Sequence, residues 1–169
     1  MQEYLIRSIR GDDNVVVAKI IREVLTEMEV PKVASAFEDA SLDAMFEYYQ
    51  ANRSGYYVLE LAGKIVAAGG FAPLAGAVES ICELQKVYFR PEVRGLGLGE
   101  KMVRHCLQAA QQQGYLECYL ETMPNMIAAQ ALYQKLGFKS IDKSMGCTGH
   151  TSCSVRMLLR FSEREISEI

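Results

Sequence analysis

The sequence has few histidines and lacks the paired cysteines of a disulfide-bonded protein. It contains only two histidines, and its five cysteines are an odd number spread between positions 82 and 153 of a 169-residue chain. A chain of this length can bury about two thirds of its unfolded surface, so it needs no disulfide bonds to hold a core. We therefore expect reduced thiols and a reducing compartment such as the cytoplasm.

Long apolar runs and an excess of positive charge are also missing. The longest stretch without a charged residue, Ile65 to Val78, is broken by glycines and by Pro73. It falls short of the roughly 20 apolar residues that cross a bilayer. The first ten residues alternate like a strand, so no leader peptide is expected. Because the net charge is −3, the sequence predicts neither a membrane nor a nucleic-acid partner.

What remains is the composition of an ordinary folded domain. The chain is 50% apolar and 23% charged, close to the averages of globular proteins. Its length is near that of one domain. We expect a single domain over residues 1–162, followed by a short charged tail at 163–169.

Hydrophobic spacing divides the chain into strands and helices. Period-two alternation and turn residues predict seven possible strands, at 4–9, 57–61, 65–68, 77–89, 115–122, 138–143 and 155–161. Apolar residues at helical spacing predict four helices: one that follows the cap at 11–13 and has its apolar face at 17–28, one at 42–49, one that begins near Leu98 and ends before Gly114, and one at 125–136. The order β-α-α-β-β-β-α-β-α-β-β predicts an α/β fold of the mixed type, with a mostly antiparallel sheet of six to seven strands and helices on both faces.

A glycine-rich turn follows the strand predicted at 77–89. Residues 94–99, RGLGLG, have the pattern R-x-x-G-x-G and lead into a helix. Glycines let a ligand approach the backbone, and the first N–H groups of a helix have no partners inside it, so such a turn suits an anion. Two nucleotide-binding patterns fail here, because Glu100 replaces a required glycine in both the Rossmann and the P-loop sequence. Residues 85–104 carry a net charge of +3 within an acidic chain, which also favours an anionic ligand.

Two segments resemble a known family. The run VYFRPEVRGLGLG at 87–99 is similar to the acetyl-CoA signature of the GNAT N-acetyltransferases, whose core is R/Q-x-x-G-x-G/A. Ala129 and the run LYQKLGF at 132–138 are similar to the family segment N-x-x-A-x-x-L-Y-x-K-x-G-F, with Asn125 one residue before the family's asparagine position. The chain is thus identified as a GNAT-like N-acetyltransferase over almost its whole length. Homodimers are common in that family.

The resemblance implies acetyl-CoA as co-substrate and no metal. The N–H groups of residues 94–99 and the following helix would hold the pyrophosphate, and side chains larger than glycine at Gly97 or Gly99 would block its approach. The backbone of the preceding strand would bind the pantetheine amides. The expected cofactor-binding residues are Val87, Tyr88, Phe89, Arg94, Gly95, Leu96, Gly97, Leu98, Gly99, Asn125 and Tyr133. Asn125 could instead be a helix cap.

The resemblance also suggests a base and an acid. Glu83 occupies the point of its strand where family members often place a catalytic glutamate, and Glu79 on the same predicted face is the reserve. Tyr133 matches the family tyrosine that can protonate the departing thiolate, although it could be a core aromatic. A backbone N–H near Tyr88 or Phe89 would bind the oxyanion.

Cysteine chemistry is the competing mechanism. Cys82, Cys106 and Cys118 lie inside predicted elements, and His105 is the direct neighbour of Cys106, which is poor geometry for a nucleophile and its base. His105 is expected to be a surface or packing residue. Direct transfer in a ternary complex is therefore favoured over an acyl-enzyme.

The segment Cys147-x-x-His150-x-x-Cys153 offers three possible zinc ligands, but structural zinc takes four. We expect instead a loop between the last two strands, and the family resemblance implies that this loop, with His150, borders the acceptor site.

The acceptor is predicted to be a primary amine on a small molecule. The resemblance implies that residues 29–39, between the first strand and the second, form the rim of its site, and their three acids against one lysine favour a cation. Three alternatives stay open: a non-catalytic acetyl-CoA-binding or sensing module, a protein N-terminal or lysine acetyltransferase, and a nucleotide-phosphate binder.

Overall fold

The computed structural model describes residues 3–33 and 35–162, so the tail predicted at 163–169 lies outside the described residues. Its strands are β1 Tyr4–Ser8, β2 Gly55–Leu61, β3 Lys64–Pro73, β4 Ile81–Phe89, β5 Glu117–Thr122, β6 Lys139–Ser140 and β7 Val155–Arg160. Its α-helices are α1 Asn14–Glu27, α2 Met45–Tyr48, α3 Leu98–Gln112 and α4 Ile127–Lys135. No helix in this part of the chain is long and apolar enough to span a membrane.

The strands of the described chain form one sheet in the order β1-β2-β3-β4-β5-β7-β6. Strands β1 to β4 are antiparallel neighbours; α1 and α2 lie in the connection between β1 and β2, and short connections join β2 to β3 and β3 to β4. Strands β4 and β5 are parallel, which requires the crossover through α3, and β7 then inserts antiparallel between β5 and β6. The predicted mixed, mostly antiparallel sheet is confirmed.

Helices cover both faces of this sheet. Val17, Ile21 and Leu25 of α1 are buried with Met45 of α2 on one face. On the other face α3 and α4 pack over a second core, to which the helices contribute Leu98, Met102, Val103, Cys106, Leu107, Ala110 and Tyr133. Neighbouring residues of a strand point to opposite faces, and Ala67 and Ala68 of β3 accordingly belong to different cores.

Two features of β4 shape the site. Its pairing with β3 shifts between Ala68 and Gly70, so that Tyr88 lies opposite Ala68 while Gln85 lies opposite Gly70. Lys86 in this β-bulge has φ 49°, a left-handed conformation that is uncommon for a residue with a side chain. Because of the bulge, the side chain of Lys86 departs from the regular alternation of side chains between the two faces of the sheet.

The second feature is the short contact between β4 and β5. The two strands pair only where residues 81–83 lie beside 117–119. Beyond Glu83 they diverge, which leaves the remaining edge of β4 open on the side of β5. An opening in the middle of a sheet exposes backbone groups that an extended ligand can pair with.

The strand expected at 65–68 extends to Pro73 in β3, and other predicted boundaries were wrong as well. The helix expected at 42–49 is divided at Ala44 into a 3-10 turn, Ala40–Asp43, and the four-residue α2. The strand expected to begin at 77 begins at Ile81, because Val78 closes a turn by accepting a hydrogen bond from the Ile81 N–H. The strand expected at 138–143 keeps only the two residues of β6.

Candidate active site

The glycine-rich turn places the N-terminus of α3 beside the open end of β4. Gly95 and Gly97 have φ values of 76° and 75°, and Gly97 is the N-cap of the 15-residue helix α3. A side chain would strain the backbone at either position. In the described part of the chain the N–H groups of residues 95–98 have no backbone acceptor, so the turn presents donors to an anion.

The structure changes the roles expected of Arg94 and Gly99. The Arg94 N–H already donates to the Pro91 carbonyl at 3.2 Å, so the free donors begin after it. Its guanidinium donates to both Glu27 oxygens, at 2.7 and 2.8 Å, and to the Phe89 carbonyl. Arg94 thus ties the turn to α1.

Gly99 serves the packing of two helices. A Cβ added there would lie 3.2 Å from Leu132 Cδ2, on α4, and 3.9 Å from Phe89 Cζ. Its missing side chain therefore faces the protein interior. The prediction that its small size serves ligand approach does not fit this direction.

A narrow cavity of ≈ 70 Å³ lies where β4 and β5 diverge. Its walls include Val87 and Tyr88 of β4, Leu120 and Thr122 of β5, and Tyr133 of α4. Phe89 lies outside these walls and pairs with Ala67 of β3. The small volume of this cavity and its position along the edge of β4 suit a slender, extended ligand.

Tyr133 is a buried wall of this cavity. It is 7% exposed, and its ring meets Phe138 edge to face at 5.7 Å. Burial raises the pKa of the Tyr133 phenol well above its ordinary value, so the group stays protonated at neutral pH. Within the described residues its hydroxyl has no hydrogen-bond partner, which leaves it free to donate to a ligand.

Asn125 was expected either to bind the cofactor or to cap a helix, and its contact in the structure is a different one. Its Nδ2 donates to the Met28 carbonyl at 2.7 Å, so it binds the C-terminal end of α1. The N-cap of α4 is Met126, and the idea that Asn125 caps α4 is therefore wrong. In this structure the residue joins α1 to the start of α4.

A wider cleft of ≈ 550 Å³ lies on the other side of Lys86, which lines both spaces. One wall is the segment 39–48, a second is Glu83, Gln85 and Lys86 of β4, and a third is the loop with Thr148 and His150. Pockets of this size accommodate small molecules.

Glu83 is a buried carboxylate in the wall of this cleft. It is 7% exposed, and its Oε2 accepts a hydrogen bond of 2.7 Å from Gln85 Nε2. Burial raises the pKa of Glu83 above its ordinary value, and Glu121 acts in the same direction, whereas Gln85 and His150 oppose the shift. Glu79 lies in an exposed turn before β4, so the expectation that it shares a strand face with Glu83 is wrong.

A charged network joins the three walls. Asp39 Oδ2 lies 2.7 Å from Lys86 Nζ, and Asp39 Oδ1 lies 2.9 Å from His150 Nε2. The hydrogen bond with Asp39 raises the pKa of His150, although burial opposes it. Burial would raise the pKa of Asp39, but His150 and Lys86 together lower it. This network holds the segment 39–48 and the loop around His150 against β4.

The structure gives no support to a reactive cysteine or a catalytic role of His105 among the described residues. Cys82, Cys106 and Cys118 are buried in the core, as expected. Cys153 lines the narrow cavity, where burial and nearby acids raise the pKa of its thiol to about 11. In residues 3–33 and 35–162 no three His, Cys, Asp or Glu side chains are grouped to hold a metal ion. His105 packs edge to face on Tyr57 at 4.4 Å.

Sequence reasoning missed the polar partners of Glu83. Gln85 donates a hydrogen bond to Glu83, and Tyr49 donates one to Gln85. Lys86 and Asp39 pair with each other in the wall beside Glu83. The spacing of Gln85 two residues after Glu83 in a strand could have indicated a shared face. The contacts of Tyr49 and Asp39 could not be found this way, because they depend on how irregular segments pack.

Comparison with known proteins agrees with this geometry. The model of the acetyltransferase (GNAT) family matches residues 20–138. An uncharacterized N-acetyltransferase of Escherichia coli (strain K12) is 40% identical over 158 residues, which are 93% of this chain and 95% of the relative. A GNAT acetyltransferase from Staphylococcus aureus superposes with a TM-score of 0.83 and 16% identity over 95% of this chain and all of its own. An acetyltransferase from Salmonella typhimurium, solved with its cofactor acetyl-CoA, gives a TM-score of 0.73 and 18% identity over 95% of each chain.

The divided sheet, the glycine turn and these relatives together define an acetyl-CoA-dependent N-acetyltransferase. The chain belongs to the acetyltransferase (GNAT) family. The residues of the turn and of the narrow cavity fit its co-substrate, because the free N–H donors of the turn suit an anionic group and the strand β4 that precedes the turn has an open edge.

Proposed function

We propose that this enzyme acetylates a primary amine on a small cationic molecule, with Glu83 as the general base and Tyr133 as the general acid. One observation carries the proposal: a carboxylate that is 7% exposed lies in the wall of a cleft that shares Lys86 with the cofactor cavity. A buried carboxylate with a raised pKa beside a cleft is a frequent feature of catalytic sites.

The co-substrate would run from the turn at 95–99 along β4 into the cavity beside Tyr133. The N–H groups of the turn and the N-terminal end of α3 supply partial positive charge for the pyrophosphate. Val87 and Tyr88 offer backbone groups on the edge that β5 leaves open. Acetyl-CoA supplies an activated acetyl group, whose bond to sulfur breaks as its bond to the amine nitrogen forms.

Glu83 would act on the acceptor. An alkylammonium ion is mostly protonated at neutral pH and cannot attack a carbonyl carbon until it loses a proton. The Glu83 carboxylate takes that proton, directly or through one water molecule. Since burial raises its pKa, Glu83 is a stronger base than an exposed glutamate.

Tyr133 would act on the leaving group. Tyr133 lines the narrow cavity, and its hydroxyl keeps its proton at neutral pH. Donation of that proton to the departing sulfur yields the neutral thiol and avoids a buried thiolate. The transferred proton returns to the phenolate from solvent before the next turnover.

Direct transfer is favoured over an acyl-enzyme. Cys153 is the described cysteine that lines the cofactor cavity, and its pKa of about 11 leaves little thiolate at neutral pH. Nucleophilic catalysis needs the thiolate or a base beside the thiol. The acetyl group would therefore pass to the amine without a covalent intermediate on the protein.

The acceptor class follows from the size and charge of the wider cleft. Three carboxylates line it, from Asp39, Glu47 and Glu83, against Lys86 and His150. Asp39 already pairs with both basic groups, which leaves Glu47 and Glu83 to attract a cation. A volume of ≈ 550 Å³ suits a small molecule, although a protein N-terminus or a lysine side chain could also enter and is an outcome of the test.

We further propose that residues 1–162 act as one domain in the cytoplasm. The single continuous sheet supports the first point, and the five free cysteines support a reducing compartment. A homodimer remains a proposal from the family resemblance.

The catalytic role of Glu83 is tested by the isosteric variant Glu83→Gln. We expect kcat/KM to fall on the order of 10²–10⁴-fold, as for loss of a general base, and the acidic limb of its pH profile to disappear. Release of free CoA thiol from about pH 4 to 10, a range that starts near the ordinary pKa of a glutamate, is the assay. Glu79→Gln is the matched control, because its carboxylate lies in an exposed turn, and it should keep the wild-type profile. A wild-type profile for Glu83→Gln would remove Glu83 from the mechanism.

A further inference from the structure

Glu83 is the end of a hydrogen-bonded chain that begins in the core. The Tyr49 hydroxyl donates to Gln85 Oε1 at 2.6 Å, and Gln85 Nε2 donates to Glu83 Oε2 at 2.7 Å. Gln85 and Glu83 lie two residues apart on one face of β4, while Tyr49 follows α2. The chain therefore connects the segment that walls the cleft to the carboxylate inside it.

The direction of this chain is fixed by what each group can do. An ionised carboxylate only accepts hydrogen bonds, so Gln85 must present its amino group to Glu83. Its carbonyl then faces Tyr49, whose O–H is a donor. If the amide turned over, its carbonyl would face a carboxylate, and Glu83 would have to be protonated. The ionised carboxylate thus sets the amide orientation, and the Tyr49 hydroxyl, which can accept as well as donate, stabilises that orientation by donating to the Gln85 carbonyl.

Tyr49 is itself held rigidly. It is 4% exposed, and its ring stacks on Tyr56 with centroids 4.7 Å apart and planes at 28°. The Tyr56 hydroxyl donates to the Lys86 carbonyl at 2.7 Å, at the bulge of β4. Burial raises the pKa of Tyr49 well above its ordinary value, so it stays a donor across the working pH range.

We propose that Tyr49 and Gln85 are positioning residues that hold Glu83 ionised, with one carboxylate oxygen bound and the other turned toward the acceptor. The proposal rests on the proposed role of Glu83 as the base. Without the two hydrogen bonds that connect Tyr49, Gln85 and Glu83, a carboxylate this deeply buried would keep its proton to a higher pH.

Other charged groups also act on Glu83. His150, on the loop between β6 and β7, and Lys86 of β4 favour its ionised form, whereas Glu121 of β5 opposes it. Asp39 faces the same space and pairs with His150 and Lys86. Among the described residues the Tyr49 hydroxyl bonds to Gln85 and to none of these charged groups, so Tyr49→Phe removes a hydrogen bond of this network and leaves the ion pairs of Asp39 in place.

The experiment compares the pH dependence of kcat/KM for wild type, Tyr49→Phe and Gln85→Met, assayed by release of CoA thiol. Both variants keep the shape of the side chain and lose the donor. We expect Gln85→Met, which loses the hydrogen bond to the charged group, to move the acidic limb to higher pH by on the order of one pH unit. Tyr49→Phe loses the bond to the neutral Gln85 carbonyl and should move the limb in the same direction by less. At pH values above the shifted limb, a large part of the activity should return.

Tyr115→Phe is the matched control. Tyr115 is another buried tyrosine, and its hydroxyl donates to the Arg53 carbonyl at 2.9 Å, away from the cleft. This variant loses a comparable hydrogen bond, so it can lower stability, but it should keep the wild-type midpoint of the limb. A purely structural role of Tyr49 would lower activity at every pH without moving the midpoint, and that result would overturn the proposal.

The Glu83→Gln profile separates the two proposals. If Glu83→Gln keeps the acidic limb, Glu83 is not the base and the proposed function fails. If Glu83→Gln loses the limb while Tyr49→Phe and Gln85→Met keep its wild-type midpoint, only the positioning role fails.

Discussion

Replacement of Asp39 by asparagine should loosen the cleft and change how stability depends on pH. The substitution keeps the shape of the side chain but removes the negative charge that lies 2.7 Å from Lys86 Nζ and 2.9 Å from His150 Nε2. The side chains of Lys86, Asp39 and His150 are only 7%, 23% and 19% exposed, so solvent replaces the lost interactions poorly.

The size of the effect follows from the interactions that are lost. A hydrogen bond to a charged group contributes about 1.5–3 kcal/mol, and asparagine retains part of the contact. We therefore expect Asp39→Asn to lower the free energy of unfolding by about 2 kcal/mol near pH 6. For a chain of this length, that loss corresponds to a decrease in Tm of roughly 4–8 °C.

The pH dependence of this difference has a definite sign. The folded-state pKa of His150 is raised, so its contribution is complete below the unfolded pKa, about 6.5, and is lost as pH rises through the folded pKa. The folded-state pKa of Asp39 is lowered, so its contribution is present above about pH 4 and is lost as pH falls through the folded pKa. The gap in Tm between wild type and variant should be largest near pH 5–6 and smaller at pH 9, where only the Lys86 part remains.

Thermal unfolding of both proteins between pH 4 and 9 is the assay, and NMR titration of the imidazoles identifies the group responsible. The chain has only two histidines, and their pKa values shift in opposite directions. Burial lowers the pKa of His105, while Asp39 raises that of His150, and Asp39→Asn should lower the higher titration midpoint alone. An equal gap in Tm at pH 6 and pH 9, together with unchanged midpoints, would refute the reasoning.

Two further predictions concern the cofactor side. Gly97→Ala forces a side chain into a backbone with φ 75°, which costs about 1–2 kcal/mol, and we expect weaker acetyl-CoA binding by calorimetry; unchanged affinity would argue against the turn as the pyrophosphate site. Gly99→Ala is the contrasting variant. Alanine stabilises the helix by about 0.5–1 kcal/mol relative to glycine, but the new Cβ lies 3.2 Å from Leu132, so the free energy of unfolding should change little. A loss of stability as large as the strain cost of Gly97→Ala would contradict this. Tyr133→Phe should lower kcat on the order of 10²-fold while acetyl-CoA affinity stays near that of wild type, and an equal kcat would exclude Tyr133 as the acid.

The sequence predicted the order of elements well because apolar spacing directly records which faces are buried. Leu98, Met102 and Cys106 of α3 are buried as their spacing requires, and Val17, Ile21 and Leu25 of α1 likewise. The turn at 95–99 was found through its glycines, whose positive φ values at Gly95 and Gly97 explain why those residues are needed.

The walls of the cleft were less predictable, because they depend on irregular segments. Ala44 interrupts the second helix, and that break sets where Tyr49 lies. The bulge at Lys86 breaks the period-two rule on which strand faces are assigned, so its direction could not be read from spacing. Asp39 and His150 are 111 residues apart and meet only through the fold.

The most direct test of the account is the release of CoA thiol from acetyl-CoA across a panel of acceptors. The panel pairs small cationic mono- and diamines with peptides that carry a free N-terminus or a lysine, assayed with wild type and Glu83→Gln. We predict that wild type acetylates a small cationic amine and that Glu83→Gln lowers this turnover on the order of 10²–10⁴-fold. Turnover with the peptides alone, or full activity of Glu83→Gln on the preferred amine, would contradict it.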